Sequence, residues 1–257
     1  MTTKLQIGTL SCTLACLLLS TTAAFAKDEH FYLGGSLGAS IANLGNTNPQ
    51  NNIPNSTVVE SFPPNSKHAT AGIFSLNAGY EFVGISLKPA ISIGLGIYRN
   101  LNSYNFNGKR IQSISGLPGG TTLNNYKYSL NSARLMAEVQ LIWILGKFAP
   151  FVNFGMGRAW NQATGYSETL VNGASLPPPF RSHTSINFAY QGGFGVSYLF
   201  NFSKAKADFQ TERLSLGYRF VDVGDATFTT RGSPFAYSLD TGRLKASDIY
   251  FSYTHLF

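Results

Sequence analysis

Ile249-Tyr250-Phe251-Ser252-Tyr253-Thr254-His255-Leu256-Phe257 closes the chain. Counted back from Phe257, every second residue is bulky and mostly aromatic: Phe257, His255, Tyr253, Phe251 and Ile249. Between them Thr254 and Ser252 are polar, as is Asp248 just upstream. Alternate side chains of a strand point to opposite faces, so the segment predicts a strand with one apolar and one largely polar face. A soluble strand can carry the same alternation. Ending a chain on Phe within such a strand, with no tail, is what sets this one apart.

Composition narrows the class. Only 12% of the 257 residues are charged, against roughly 25% in ordinary soluble domains. Aromatic residues make up 14%, with 20 Phe and 13 Tyr but only 2 Trp, and there are 26 Gly. Past the amino-terminal stretch, no segment approaches the ~20 consecutive apolar residues of a spanning helix. Helices and closed barrels alone satisfy every backbone group in lipid, so a membrane-crossing reading of this chain demands a barrel.

The amino terminus reads as a secretory signal peptide over residues 1–26. Lys4 supplies its positive end, an apolar run extends from Leu5 to Leu19, and Ala24-Phe25-Ala26 is an A-x-A cleavage site. Cys12 and Cys16 both lie inside it, and each has Thr three residues upstream, where a lipoprotein signal prefers Leu. The mature chain, 27–257, is therefore expected to hold no disulfide and no thiolate metal site. It reads as one domain with no linker.

Period-two segments recur along that domain. Phe31 to Ala42, Gly72 to Phe82, Ala90 to Arg99, Tyr126 to Leu145, Phe148 to Trp160, Ile186 to Tyr198 and Thr211 to Val221 precede the terminal strand. Each sets bulky apolar residues against a face of Gly, Ser, Asn and occasional charges. Short turns near Lys88-Pro89, Gly146-Lys147 and Lys204 alternate with long polar stretches: Asn43 to His68, Asn100 to Asn125, one ending near His183, and one before the terminal strand. About eight strands joined alternately by short and long connections are the pattern of an outer-membrane barrel. The period fits two, not 3.6. An all-β fold is expected, a closed antiparallel eight-stranded up-and-down transmembrane β-barrel. Its four long outer loops, rich in Asn, Pro, Ser and Gly, are expected to be mobile.

The segments Phe188-Ala189-Tyr190-Gln191-Gly192-Gly193-Phe194-Gly195-Val196-Ser197-Tyr198 and Gly217-Tyr218-Arg219-Phe220-Val221-Asp222-Val223-Gly224, with the closing strand, resemble the eight-stranded OmpA-like and opacity-protein-like barrels. That resemblance spans nearly the whole mature chain. It implies a Gram-negative outer membrane. It also implies that Ile249, Phe251, Tyr253, His255 and Phe257 form an assembly signal for the barrel assembly machinery. His255 stands where that family more often has Tyr. The resemblance says little about activity, since such barrels include adhesins and surface antigens.

An eight-stranded barrel is just wide enough for side chains to fill its interior, and Gly on the inward face makes room for larger neighbours. Inward charges must be compensated. Glu138 is expected to meet Arg134, Arg219 or both across the lumen, with Glu81 nearer the periplasm. Aromatic residues near strand ends, Tyr80, Phe82, Trp143, Phe148, Tyr198, Phe200, Phe220 and Phe257, fit interfacial girdles. Net charge is +7. Basic residues in the outer stretches, among them Lys67, Lys109, Arg110, Arg181 and Arg231, outnumber acidic ones, which suits contact with lipopolysaccharide phosphates or with anionic host or surface ligands. They form no stripe of the kind that binds nucleic acid.

Three functions are compatible with this pattern: a surface protein for adhesion or surface interaction, a narrow porin, or a lipid A-modifying enzyme. Only four His occur, His30, His68, His183 and His255. His183 lies beside Ser182 and Ser185, a weak nucleophile–base pattern. No H-E-x-x-H, phosphate loop or metal-spaced cluster is present, so neither metal nor cofactor is expected. The first reading, non-enzymatic, is preferred.

Overall fold

The computed structural model describes residues 26–45, 50–52, 58–84, 89–114, 121–170, 175–176, 180–200, 212–230 and 238–257. Except for Ala26, the expected leader lies outside them. The strands are β1 (Ala26–Leu44), β2 (Gln50–Asn52), β3 (Val58–Ser61), β4 (His68–Gly84), β5 (Ala90–Asn100), β6 (Tyr104–Ile114), β7 (Thr121–Ile142), β8 (Phe148–Leu170), β9 (Ser175–Leu176), β10 (Phe180–Arg181), β11 (His183–Phe200), β12 (Glu212–Thr230) and β13 (Ser238–Leu256).

Eight of these strands form the expected ring. β1 pairs with β4, β4 with β5, β5 with β7, β7 with β8, β8 with β11, β11 with β12 and β12 with β13. Strand β13 then returns to β1, where Leu37 faces Phe251 and Ser40 faces Asp248. Every pairing is antiparallel. The closing strand is thus held on both edges, and the Phe257 amide donates to the Phe31 carbonyl at 2.8 Å. Between β7 and β8 the expected tight turn forms at Gly146, whose φ of 67° suits a residue without a side chain.

In the half of the ring near the chain ends, the apolar face points out. Leu37, Leu95, Phe154, Phe194 and Phe251 are all more than half exposed, the reverse of a soluble protein. Ser36, Ser75, Ser92, Asn153 and Ser252 face in. Gly on this inner wall is a matter of space: a Cβ at Gly217 would come within 2.4 Å of the Tyr250 ring, and one at Gly96 within 2.8 Å of Glu138.

Within the described residues, much of the sequence that reads as outer loop is strand. The second polar stretch is largely strand β6, which pairs with the start of β7, while β8, β12 and β13 all run well past the expected segments. Strands β3 and β10 pair onto β6 and β12. The physical reason lies in the inward positions of these extensions. Tyr104, Phe106, Tyr126, Tyr128, Leu130, Tyr166 and Phe228 project inside and are buried, as are Phe62 and Phe180. The Tyr126 ring stacks on Tyr128 and Tyr166 at centroid distances of 5.9 and 6.1 Å. Phe180 meets Tyr166 edge-on at 4.9 Å. Each buried aromatic contributes about 1.5–3 kcal/mol, enough to hold strands whose outward residues are merely polar. Above the apolar band the sheet is therefore an ordinary β structure, with grease inside and water outside.

Candidate functional site

The interior of the apolar-banded half is filled by two charge clusters. In the upper one Arg134 Nη2 donates to Asp248 Oδ2 at 2.6 Å, and Arg219 Nη2 donates to the same oxygen at 3.1 Å. Ser40 Oγ donates to Asp248 Oδ1 at 2.5 Å. The two guanidiniums lie 4.7 and 4.3 Å from the Tyr98 ring centroid, and Arg219 also lies 4.7 Å from that of Tyr250. Cation–π contacts of this kind, desolvated, are worth ~2 kcal/mol.

Glu138 was expected to take one or both arginines. All three residues do face the lumen, but the carboxylate that binds both guanidiniums is Asp248. Glu138 instead accepts from the Tyr98 hydroxyl and from Gln191 Nε2 at 2.6 Å. Register explains the difference. Asp248 lies directly across from Arg219 on the neighbouring strand, whereas Glu138 is flanked by Gly94 and Gly155. In the lower cluster Glu81 accepts from Arg213 Nη2 at 2.5 Å. Arg134, Arg213 and Arg219 thus balance Glu81, Glu138 and Asp248. Sequence reading missed Asp248 and Arg213 as partners, though their inward phase marked them.

Around these clusters, the described lumen retains two small polar voids of about 40 Å³ each, both bordered by Tyr32, Asn77 and Ser92. They have room for a few water molecules. Hydroxyl pairs cross-link the wall, as between Ser36 and Ser75 at 2.7 Å and between Ser197 and Ser215 at 2.8 Å.

The outer half sorts its charges differently. Arg110, expected on the basic surface, turns inward: its Nη2 donates to Glu60 at 2.5 Å and its Nη1 to Glu168 at 3.0 Å. Glu168 also accepts from Asn124 Nδ2 and the Tyr166 hydroxyl, each at 2.6 Å. Burial opposes the charge on Arg110, but the two carboxylates outweigh it and hold its pKa above the ordinary value. Buried Asp222 pairs with Arg243 at 2.9 Å. Among the described residues of this half, only Asp225 and Asp240 remain as exposed carboxylates. Lys67, Lys109 and Arg181 are exposed as expected, together with Arg99, Lys127, Arg158 and Lys245, and none of these makes an ion pair among the described residues. Arg231 lies outside the described residues.

Residues 12–238 match the model of the outer membrane protein β-barrel domain family. The chain belongs to that family. It is an outer-membrane β-barrel of the Gram-negative type. No curated protein sequence is a significant match. Solved structures are similar to it at low identity. Neisserial surface protein A is 12% identical, with 90% of this chain and 100% of that one covered and a TM-score of 0.42. OprG from Pseudomonas aeruginosa is 14% identical, with 91% and 98% covered and a TM-score of 0.38. The outer membrane protease OmpT from Escherichia coli is 10% identical, with 89% and 96% covered and a TM-score of 0.44.

Within the barrel, Ile249, Phe251, Tyr253 and Phe257 of the closing strand face out toward lipid, with His255 half-buried beside them. His255 Nδ1 lies 2.6 Å from Glu212 Oε1, and the Tyr253 hydroxyl donates to the same carboxylate. Phe31 contacts both Tyr80 and Phe257 at 5.7 Å, and Phe148 contacts Tyr198 at 5.6 Å, a girdle at the inner rim. Of the expected girdle residues, Trp143 and Phe220 also face out. His183 is exposed. Ser185 Oγ is engaged with Thr227 Oγ1 at 3.0 Å.

Proposed function

We propose that this barrel is a sealed, non-enzymatic surface protein whose outer half presents a basic exterior for adhesion to anionic surface polymers, such as sulfated or phosphorylated glycans. One observation carries the reading. Most carboxylates of the outer half are buried against Arg110 and Arg243, which leaves Lys67, Lys109, Lys127 and Arg181 outside without acidic partners. Such a field attracts polyanions and rejects other cations. A β framework holding these side chains lowers the ordering cost that a mobile loop would incur on binding. The filled lumen supports the sealed part of the reading, because side chains occupy the path that a narrow porin would need.

The test is salt-dependent retention of proteoliposomes on heparin against a neutral glycan surface. Each basic side chain near an anionic surface contributes about 1 kcal/mol. The variant Lys67→Glu/Lys109→Glu/Lys127→Glu/Arg181→Glu should therefore lose at least about tenfold in retention while still migrating as a folded barrel. Equal retention on the neutral surface, or no loss in the variant, would overturn the adhesive reading. A stable ohmic current in planar bilayers would overturn the sealed one.

A further inference from the structure

On the outside wall, where lipid-facing side chains give way to polar ones, three residues stand in one row across adjacent strands. Arg99 of β5 faces Ala133 of β7, which faces Trp160 of β8. The small Ala133 leaves a hollow of about 260 Å³ between the guanidinium and the indole. That is slightly less than the ~300–1,000 Å³ of pockets that enclose a whole ligand, so it suits the grip of one part of a larger molecule.

The neighbouring rows define the surroundings. One step toward the polar side, Asn131, Gln162 and Thr184 are in register. Asn131 donates its amide nitrogen to Ser103 Oγ at 3.1 Å, while its Oδ1 is buried without a donor. One step toward lipid, Ile97, Leu135, Arg158 and Phe188 are in register. Arg158 is exposed on that apolar side and, like Arg99, has no carboxylate partner among the described residues. An unpaired cation at the edge of a lipid-facing band is favourable only if its head reaches a polar anionic layer. Guanidinium suits phosphate because it donates two parallel hydrogen bonds, and Trp favours the interface.

We propose that this hollow seats the phosphorylated sugar headgroup of an outer-leaflet glycolipid of the lipid A type. Arg99 and Arg158 take the phosphate, Trp160 lies against the sugar, and a sugar hydroxyl reaches Asn131 Oδ1. The acyl chains run down over Ile97, Leu135 and Phe188. This inference is independent of the adhesive reading, since its residues belong to the lipid boundary and not to the outer exterior.

The experiment is native mass spectrometry of the full barrel reconstituted with bisphosphorylated lipid A, its dephosphorylated form or phosphatidylglycerol. Wild type should retain bisphosphorylated lipid A in preference to the other two, and millimolar inorganic phosphate should not displace it. Arg99→Ala/Arg158→Ala should lower that retention by about tenfold or more, as expected for two charge-assisted contacts. Arg99→Lys/Arg158→Lys, which keeps charge and fold, should fall between, and Lys147→Ala, in the exposed turn at the opposite rim, should match wild type. Equal retention of lipid A and phosphatidylglycerol, displacement by phosphate alone, or unchanged retention in the double Ala variant would each overturn the proposal. Heat-modifiable gel migration certifies that every variant compared is folded.

Discussion

Along the inward face of β7, Glu138 and Arg134 give way within a few residues to Leu130, Tyr128 and Tyr126. The outward face changes the opposite way, from Val139, Ala137 and Leu135 to Asn131, Ser129 and Lys127. One strand, with one unbroken alternation, thus serves two environments. Where lipid surrounds the ring, the outside needs no polar groups and the inside must compensate every charge it holds. Where water surrounds it, burial of aromatic side chains inside holds the strands together. Position within a sheet does not decide which face is apolar; the medium outside does.

The difference can be broken most severely at Asp248. Asp248→Ala leaves Arg134 and Arg219 buried without their shared carboxylate, a loss of about 3–5 kcal/mol. Heat-modifiable migration should show the entire ring unfolding at a lower temperature; an unchanged midpoint would mean that the lumen cluster is not what holds this half. Phe228→Ala should cost about 3 kcal/mol, but locally. Phe228 packs on Tyr128 and Tyr166 in the outer core, so amide exchange should rise in the outer extensions of β7, β8 and β12. Protection of the lipid-embedded ring should change little. A global loss for both variants would show that the two halves unfold as one.

A gentler comparison scans the outward face with arginine. Phe154→Arg, in the lipid-facing band, should destabilise by about 2–4 kcal/mol if it lies near the bilayer midplane. Asn125→Arg, on the outward face of the outer half, should stay within about 0.5 kcal/mol. Urea unfolding of barrels refolded into liposomes measures both. Similar costs at the two positions would erase the boundary drawn between Arg158 and Gln162.

Much of the lipid-embedded half was legible. Its period-two segments, its Gly-lined inner face and the outward phase of Phe154, Phe194 and Phe251 all stand in the structure as expected. The outer half was less so. Asn, Ser and Gly between Asn100 and Asn125 read as loop, yet Tyr104 and Phe106 alternate in the same phase that Tyr126, Tyr128 and Leu130 continue on the partner strand. Following that phase across the polar stretch would have found β6. Arg110 reads as surface because it falls in an outer polar stretch, whereas its inward contacts join it to Glu60 and Glu168.

Alternation between residues two apart is a local property, so the chain alone specifies strands, their two faces and the aromatic strand that completes the ring. Which charges meet is not local. Asp248, rather than Glu138, receives both arginines because strand stagger and ring closure bring β7, β12 and β13 to the same level. Arg110 turns inward for a similar reason, since β3, β6 and β8 converge only once the ring is shut. Side-chain facing follows from the backbone's repeat of two, while partners across a lumen follow from register around the whole circle.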